Sequence, residues 1–144
     1  METILIVEDN NDFRTTVDRM LRSAGYQTRT VEDHRRVADV VQEGQFDLVV
    51  TDVFMPEFDG LEVIRMVRRI KPACPIIAVS GGGAYLAAPS GLRLAEACGA
   101  NAALYKPFGR AELTDTVAAL LARPQCDAMA RNPVIDQIAS SQDQ

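Results

Sequence analysis

Several classes of function are excluded by what this chain has little of. Histidine occurs once in 144 residues and cysteine three times. Cys74, Cys98 and Cys126 are odd in number, widely spaced and form no CxxC pair. They read as free thiols in a reducing cytoplasm, not as a disulfide framework or a zinc site. His34 stands among Glu32, Asp33 and Arg35 and reads as a solvated side chain. Positive charge is also short. Fifteen Lys and Arg against twenty Asp and Glu leave a net charge of −5, which argues against a surface that tracks nucleic-acid phosphates. No apolar stretch approaches the ~20 residues that span a bilayer, so no membrane insertion is expected. The opening "METILIVEDN" has no basic n-region and reaches acids too early for a signal peptide.

What remains, 47% hydrophobic and 24% charged, is an ordinary globular composition. Four short apolar runs stand out: "ILIV" (4–7), "LVV" (48–50), "IIAV" (76–79) and "AAL" (102–104). Each is too short for a helix, and the first three are rich in Ile and Val, as buried parallel strands are. A polar run, "YQTRTV", alternates enough to be an edge strand. Helical periods lie between the runs. Phe13, Val17, Met20, Leu21 and Ala24 form one stripe that stops at Gly25. Leu61, Ile64, Val67 and Ile70 form another, with Arg65, Arg68 and Arg69 turned outward and Pro72 ending it. Val37, Val40 and Val41 belong to a weaker helix ending at Gly44, and Leu113, Val117, Leu120 and Leu121 to a last one before Pro124. Strand and helix alternate about five times, which predicts an α/β domain with a parallel sheet and helices on both faces. The domain occupies residues 1–123. Residues 124–144 turn polar and read as a C-terminal tail, with no separate output domain.

The chemistry lies where the apolar runs end. "ILIV" is followed by Glu8-Asp9, "LVV" by Thr51-Asp52, "IIAV" by Ser80-Gly81, and "AALY" by Lys106-Pro107. The carboxyl ends of parallel strands line one crevice, the usual ligand position of open α/β sheets. Three carboxylates, one hydroxyl and one ammonium are therefore expected together. Two carboxylates ~4 Å apart repel by roughly 4 kcal/mol at an effective dielectric near 20. Lys106 offsets one charge but not three, so a divalent cation is expected. With oxygen ligands and no His or Cys nearby, Mg²⁺ is favoured over zinc. A metal, a nucleophilic carboxylate, a hydroxyl and a lysine together describe a phosphoryl acceptor.

In these elements the sequence resembles the receiver domain of bacterial two-component response regulators. "ILIVEDN", "DLVVTDVFMPEFDG", "PIIAVSG" and "LYKPF" occur in order and at suitable spacing over residues 2–122. The resemblance implies a doubly wound five-stranded parallel sheet of order 2-1-3-4-5, flavodoxin- or CheY-like, with five helices. It implies that Asp52 is the phosphoacceptor, attacking the phosphohistidine of a sensor histidine kinase or phosphotransfer protein, and that the domain catalyses its own phosphoryl transfer and aspartyl-phosphate hydrolysis. Glu8, Asp9, Asp52 and the backbone carbonyl of Phe54 would hold Mg²⁺, Glu8 through water. Ser80 would hydrogen-bond the phosphoryl group, Lys106 would pair with one of its oxygens across a cis bond to Pro107, and Gly81 would leave room for its approach. "MPEFDG" reads as the loop after the acceptor strand, with Gly60 opening a helix. The output would be contact with a downstream protein.

The chain also departs from the family. Ala103 occupies the position of the usual aromatic switch, and Tyr105, on the same strand face, is its possible substitute. The stretch 80–99 is longer than usual, predicting a Gly-rich loop and a displaced or shortened fourth helix beginning near Ser90. The alternative reading is a receiver-like binding module that is never phosphorylated. A haloacid-dehalogenase-like phosphatase would need a second Asp two residues after Asp52, where Phe54 stands. A flavodoxin-like FMN carrier would need a phosphate-cradling loop where "EDNND" stands.

Overall fold

The computed structural model describes residues 2–55, 58–80 and 99–122. Gly81, the expected loop and fourth helix near Ser90, Cys98, Cys126 and the tail lie outside them, as does the side chain of His34. Strand β1 (Thr3–Val7) leads to helix α1 (Asn11–Ser23), β2 (Gln27–Val31), α2 (His34–Glu43) and β3 (Leu48–Asp52). Two short strands follow, β4 (Phe54–Met55) and β5 (Phe58–Asp59), then α3 (Gly60–Ile70), β6 (Ile76–Ser80), β7 (Ala102–Tyr105) and α4 (Arg110–Leu121).

The main sheet has the order β2-β1-β3-β6-β7 with every pairing parallel. Counting only its own strands in chain order, this is 2-1-3-4-5. The polar β2 is an edge strand and the three Ile/Val-rich strands are interior, because interior strands are covered on both faces. Alternation divides the core in two. Leu5, Val7, Val49, Ile76 and Ala78 face Val37, Val41, Val63, Ile64 and Val67 of α2 and α3. Ile4, Ile6, Leu48, Val50, Ile77 and Val79 face Val17 and Leu21 of α1 and Leu113, Val117 and Leu120 of α4.

Local signals set the helix limits. Asn10 caps α1 by accepting the Phe13 N–H at 2.9 Å. Asp33 caps α2 by accepting from the Arg35 N–H at 2.9 Å, and Gly44, left-handed at φ 67°, ends it.

Three expectations are corrected. The "MPEFDG" stretch is not wholly loop, since Phe54-Met55 and Phe58-Asp59 pair antiparallel as β4 and β5. The α3 stripe runs through Gly60, Val63, Ile64 and Val67, leaving Ile70 37% exposed at the helix end. Arg68 does not turn outward. It is half-buried, and its guanidinium donates to the carbonyls of Gly99, Pro72 and Cys74 and to Asn101 Oδ1. These carbonyls lie at the amino-terminal side of β6 and β7, where the last turn of α3 meets the chain entering those strands. Among the described residues no helix is long and apolar enough to cross a membrane.

Candidate functional site

Parallel pairing brings the strand ends level. Val7 pairs with Thr51, Asp52 with Val79, and Ser80 with Tyr105. Glu8 continues β1, its N–H donating to the Val31 carbonyl at 3.2 Å, and the Lys106 N–H donates to the Ser80 carbonyl at 2.8 Å. Four elements thus deliver Glu8, Asp52, Ser80 and Lys106 to the carboxyl edge of the sheet. Among the described residues, Glu8, Asp52 and Ser80 are the polar side chains buried with Thr51 in an otherwise apolar interior.

Lys106 binds the two buried acids together. Its ammonium lies 2.8 Å from Asp52 Oδ2 and 3.2 Å from Glu8 Oε1. Two carboxylates and one ammonium leave one net negative charge. That imbalance shows in Glu8, whose carboxyl is pushed up to about 7, first by burial and then by the charge of Asp52. The N–H of Asn10, 3.0 Å from Glu8 Oε2, and the charge of Lys106 act against this rise without cancelling it. Burial alone would lower the pKa of Lys106. The hydrogen bond and charge of Asp52, followed by those of Glu8, outweigh burial and hold it above the ordinary lysine value. The ammonium also lies 4.0 Å from the centroid of the Phe13 ring.

The scaffold around the acids is tight. Gly60 opens α3 against the Asp52 backbone, where a Cβ would fall 1.9 Å from the Asp52 carbonyl oxygen. The Arg14 guanidinium donates to the Glu8 carbonyl at 3.0 Å and ties the acidic loop to the first turn of α1.

Of the residues expected from sequence, Glu8, Asp52 and Lys106 make direct contact, and Ser80 is buried at the end of the neighbouring strand. Asp9 is exposed beside Glu8. Phe54 follows β3 in β4, and the Lys106–Pro107 bond is cis. Ala103 packs against the α2–α3 side of the core, while Tyr105 is 49% exposed. Among the described residues no three His, Cys, Asp or Glu side chains converge closely enough to cage an ion. The donors present nonetheless fit Mg²⁺, which takes one or two carboxylates and keeps several waters instead of demanding an all-protein cage. Two buried carboxylates carrying an excess negative charge are such a donor set. Sequence reading missed Asn10, Phe13 and Arg14 as parts of the site. Only the capping signature of an Asn before a helical period pointed to the first.

Comparison with known proteins agrees with this geometry. The family model described as response regulator receiver domain matches residues 4–118. The response regulator receiver protein CpdR of Brucella abortus (strain 2308) is 31% identical over 121 residues, covering 84% of this chain and 98% of that protein. The DNA-binding transcriptional regulator NtrC of Bradyrhizobium sp. (strain RP501 Parasponia) is 32% identical over 123 residues, 85% of this chain, and the chain spans only 25% of that longer regulator. Among solved structures, the receiver domain of sensor histidine kinase PA1611 from Pseudomonas aeruginosa PAO1, with a magnesium ion coordinated in its active-site cleft, superposes with a TM-score of 0.74. It is 29% identical and covers 85% of this chain and 98% of that one. The chain belongs to the response regulator receiver domain family.

Proposed function

We propose that this receiver domain accepts a phosphoryl group on Asp52 from the phosphohistidine of a sensor histidine kinase or phosphotransfer protein, and signals the change to a downstream protein. The observation that carries the reading is one ammonium, that of Lys106, shared between the buried carboxylates of Asp52 and Glu8 at 2.8 and 3.2 Å.

A carboxylate oxygen of Asp52 attacks phosphorus. The P–O bond forms as the P–N bond breaks, and the leaving imidazole nitrogen keeps the electron pair and takes a proton from solvent. Lys106 then turns from the Asp52 carboxylate to a phosphoryl oxygen, with the Ser80 hydroxyl donating to another. Glu8 and Asp9, with Asp52 and the Phe54 carbonyl, would hold Mg²⁺, which supplies neutralisation of the phosphoryl charge. Hydrolysis of the acyl phosphate by water restores the carboxylate. The domain is thus a self-catalysing phosphoacceptor and not an enzyme with an external product. The phosphate stabilises one arrangement of the surrounding elements, and the partner reads that arrangement.

The test is incubation with acetyl phosphate and Mg²⁺, read by intact mass. The wild type is expected to gain one phosphoryl group and Asp52→Asn none. A wild type that gains nothing would leave the domain as a binding module that is never phosphorylated.

A further inference from the structure

The contacts of Lys106 extend beyond the two acids. An ammonium has three N–H donors, and two of them serve Asp52 Oδ2 and Glu8 Oε1. The same nitrogen lies 4.0 Å from the centroid of the Phe13 ring, which comes from the first turn of α1. At that range the negative face of an aromatic ring attracts a cation, and the attraction grows when water is excluded. Here the Lys106 side chain is only 21% exposed.

The ring is itself held from two sides. Phe108, buried in the α1–α4 half of the core, meets it edge to face, with centroids 5.5 Å apart and planes at 85°. The Phe13 N–H donates to Asn10 Oδ1 at 2.9 Å, and the Asn10 N–H donates to Glu8 Oε2 at 3.0 Å. Glu8 Oε1 in turn accepts from Lys106. Glu8, Lys106, Phe13 and Asn10 therefore form a closed circuit of contacts. A leucine at position 13 would fill the apolar space but could not attract the ammonium.

We propose that Phe13 is a positioning residue of this site, its ring face holding the Lys106 ammonium against Asp52 and Glu8. The inference rests on the phosphoacceptor reading for its consequence in rate, but not for its geometry. The ring of Phe13 meets Lys106 and Phe108, so it acts on the Asp52 carboxylate through the lysine. It fixes where the lysine charge waits.

The test uses the 144-residue chain as wild type, Phe13→Leu and Phe13→Tyr, which keeps the ring. Phosphorylation by acetyl phosphate at saturating Mg²⁺ is expected to slow about five- to tenfold in Phe13→Leu, as loss of one partly desolvated cation–ring contact implies, and to stay near wild type in Phe13→Tyr. Independently of activity, the Cε protons of Lys106 in the metal-free wild type should resonate upfield under the ring. That shift should persist in Phe13→Tyr and vanish in Phe13→Leu. Equal rates in wild type and Phe13→Leu, equal slowing in both variants, or unshifted Cε protons in the wild type would each overturn the proposal. A wild type that takes up no phosphoryl group would defeat the functional reading alone, and the Lys106 resonance would still decide on Phe13. Should Phe13→Leu fold poorly, the wild-type resonance decides by itself.

Discussion

The Cα of Gly60 faces the backbone of Asp52 so closely that a methyl group there would lie 1.9 Å from the Asp52 carbonyl oxygen and 2.7 Å from the Val53 Cα. Neither atom can yield as a flexible side chain would, because both belong to the chain leaving an interior strand. The glycine lets α3 begin directly against the end of β3, with the Gly60 N–H donating to the Val53 carbonyl at 3.2 Å. Gly60→Ala must therefore move α3 or the end of β3. Overpacking of this kind costs about 1–3 kcal/mol or more, measurable as a lowered urea midpoint. Phosphorylation of Asp52 should slow with it. A variant as stable as wild type would show that the contact is looser than its geometry implies.

Removing the shared cation leaves the two acids facing each other. Lys106→Met keeps much of the side-chain volume but leaves Glu8 and Asp52 buried without their cation, so that at pH 8 they must either repel as carboxylates or take up a proton. In metal-free buffer the variant should lose about 2 kcal/mol, less than the roughly 3–5 kcal/mol of breaking a fully buried pair, because the lysine retains some solvent contact. The repulsion, and not the lost bond, is tested by the second substitution. Asp52→Asn in the Lys106→Met background should recover part of the loss, because one carboxylate no longer needs a partner. Guanidinium unfolding of the four proteins measures the coupling. A double variant less stable than Lys106→Met alone would contradict the account.

Glu8 gives the site a pH dependence with a definite sign. Its carboxyl rises from 4.5 to about 7 on folding, so between these values the folded chain binds more protons than the unfolded one. The contribution of this group to stability is then greatest below pH 4.5 and falls as pH rises toward 7. Glu8→Gln imitates the protonated form and retains an oxygen to accept the Asn10 N–H. In EDTA at pH 8 the variant should be more stable than wild type by roughly 1–3 kcal/mol, given 1.36 kcal/mol per unit of pKa difference. Near pH 5 the two proteins should converge. Urea denaturation at both pH values checks this. A gap of the same size at pH 5 and pH 8 would mean that the charge on Glu8 is not its source.

Much of this was legible in the sequence, for reasons of periodicity. "ILIV", "LVV" and "IIAV" can be nothing longer than strands, and each stops at a polar residue, so the sequence itself marks Glu8, Asp52 and Ser80 as strand ends. The strand order was not local information and came from resemblance. Pattern also failed where a long side chain decides for itself. Adjacent Glu8 and Asp9 look equivalent in sequence, yet one is buried against Lys106 and the other is exposed. Phe13 reads as an ordinary member of a helical stripe. Its contact with a lysine 93 positions later depends on parallel pairing that brings α1 beside the end of β7. Arg68 sits in a run of arginines that reads as a solvated face, and nothing in the spacing shows that the carbonyls of Pro72, Cys74 and Gly99 lie within its reach.

That arginine supports the last expectation. Its guanidinium spans two segments far apart in sequence, donating from Nε and one terminal nitrogen to the Gly99 carbonyl at 3.0 and 2.7 Å, and from the other to the Pro72 and Cys74 carbonyls at 3.1 and 2.5 Å. A further bond reaches Asn101 Oδ1 at 2.6 Å, and that same oxygen accepts the Ile76 N–H at 2.8 Å. Burial lowers the pKa of Arg68 below the ordinary arginine value. Gly99, at φ 122°, has no Cβ where one would fall 2.9 Å from the Arg68 side chain. The fork thus closes the amino-terminal end of β6 and β7, opposite the carboxyl edge that carries Asp52 and Lys106. Lysine keeps the charge but cannot serve four acceptors in a plane. Arg68→Lys should therefore cost about 1–3 kcal/mol, through acceptors left without donors, while leaving acetyl phosphate reactivity of the folded protein near wild type. Hydrogen exchange should accelerate at the Ile76 amide more than at the Lys106 amide. Unchanged stability, or equal acceleration at both amides, would show that the clamp does not hold this end of the sheet.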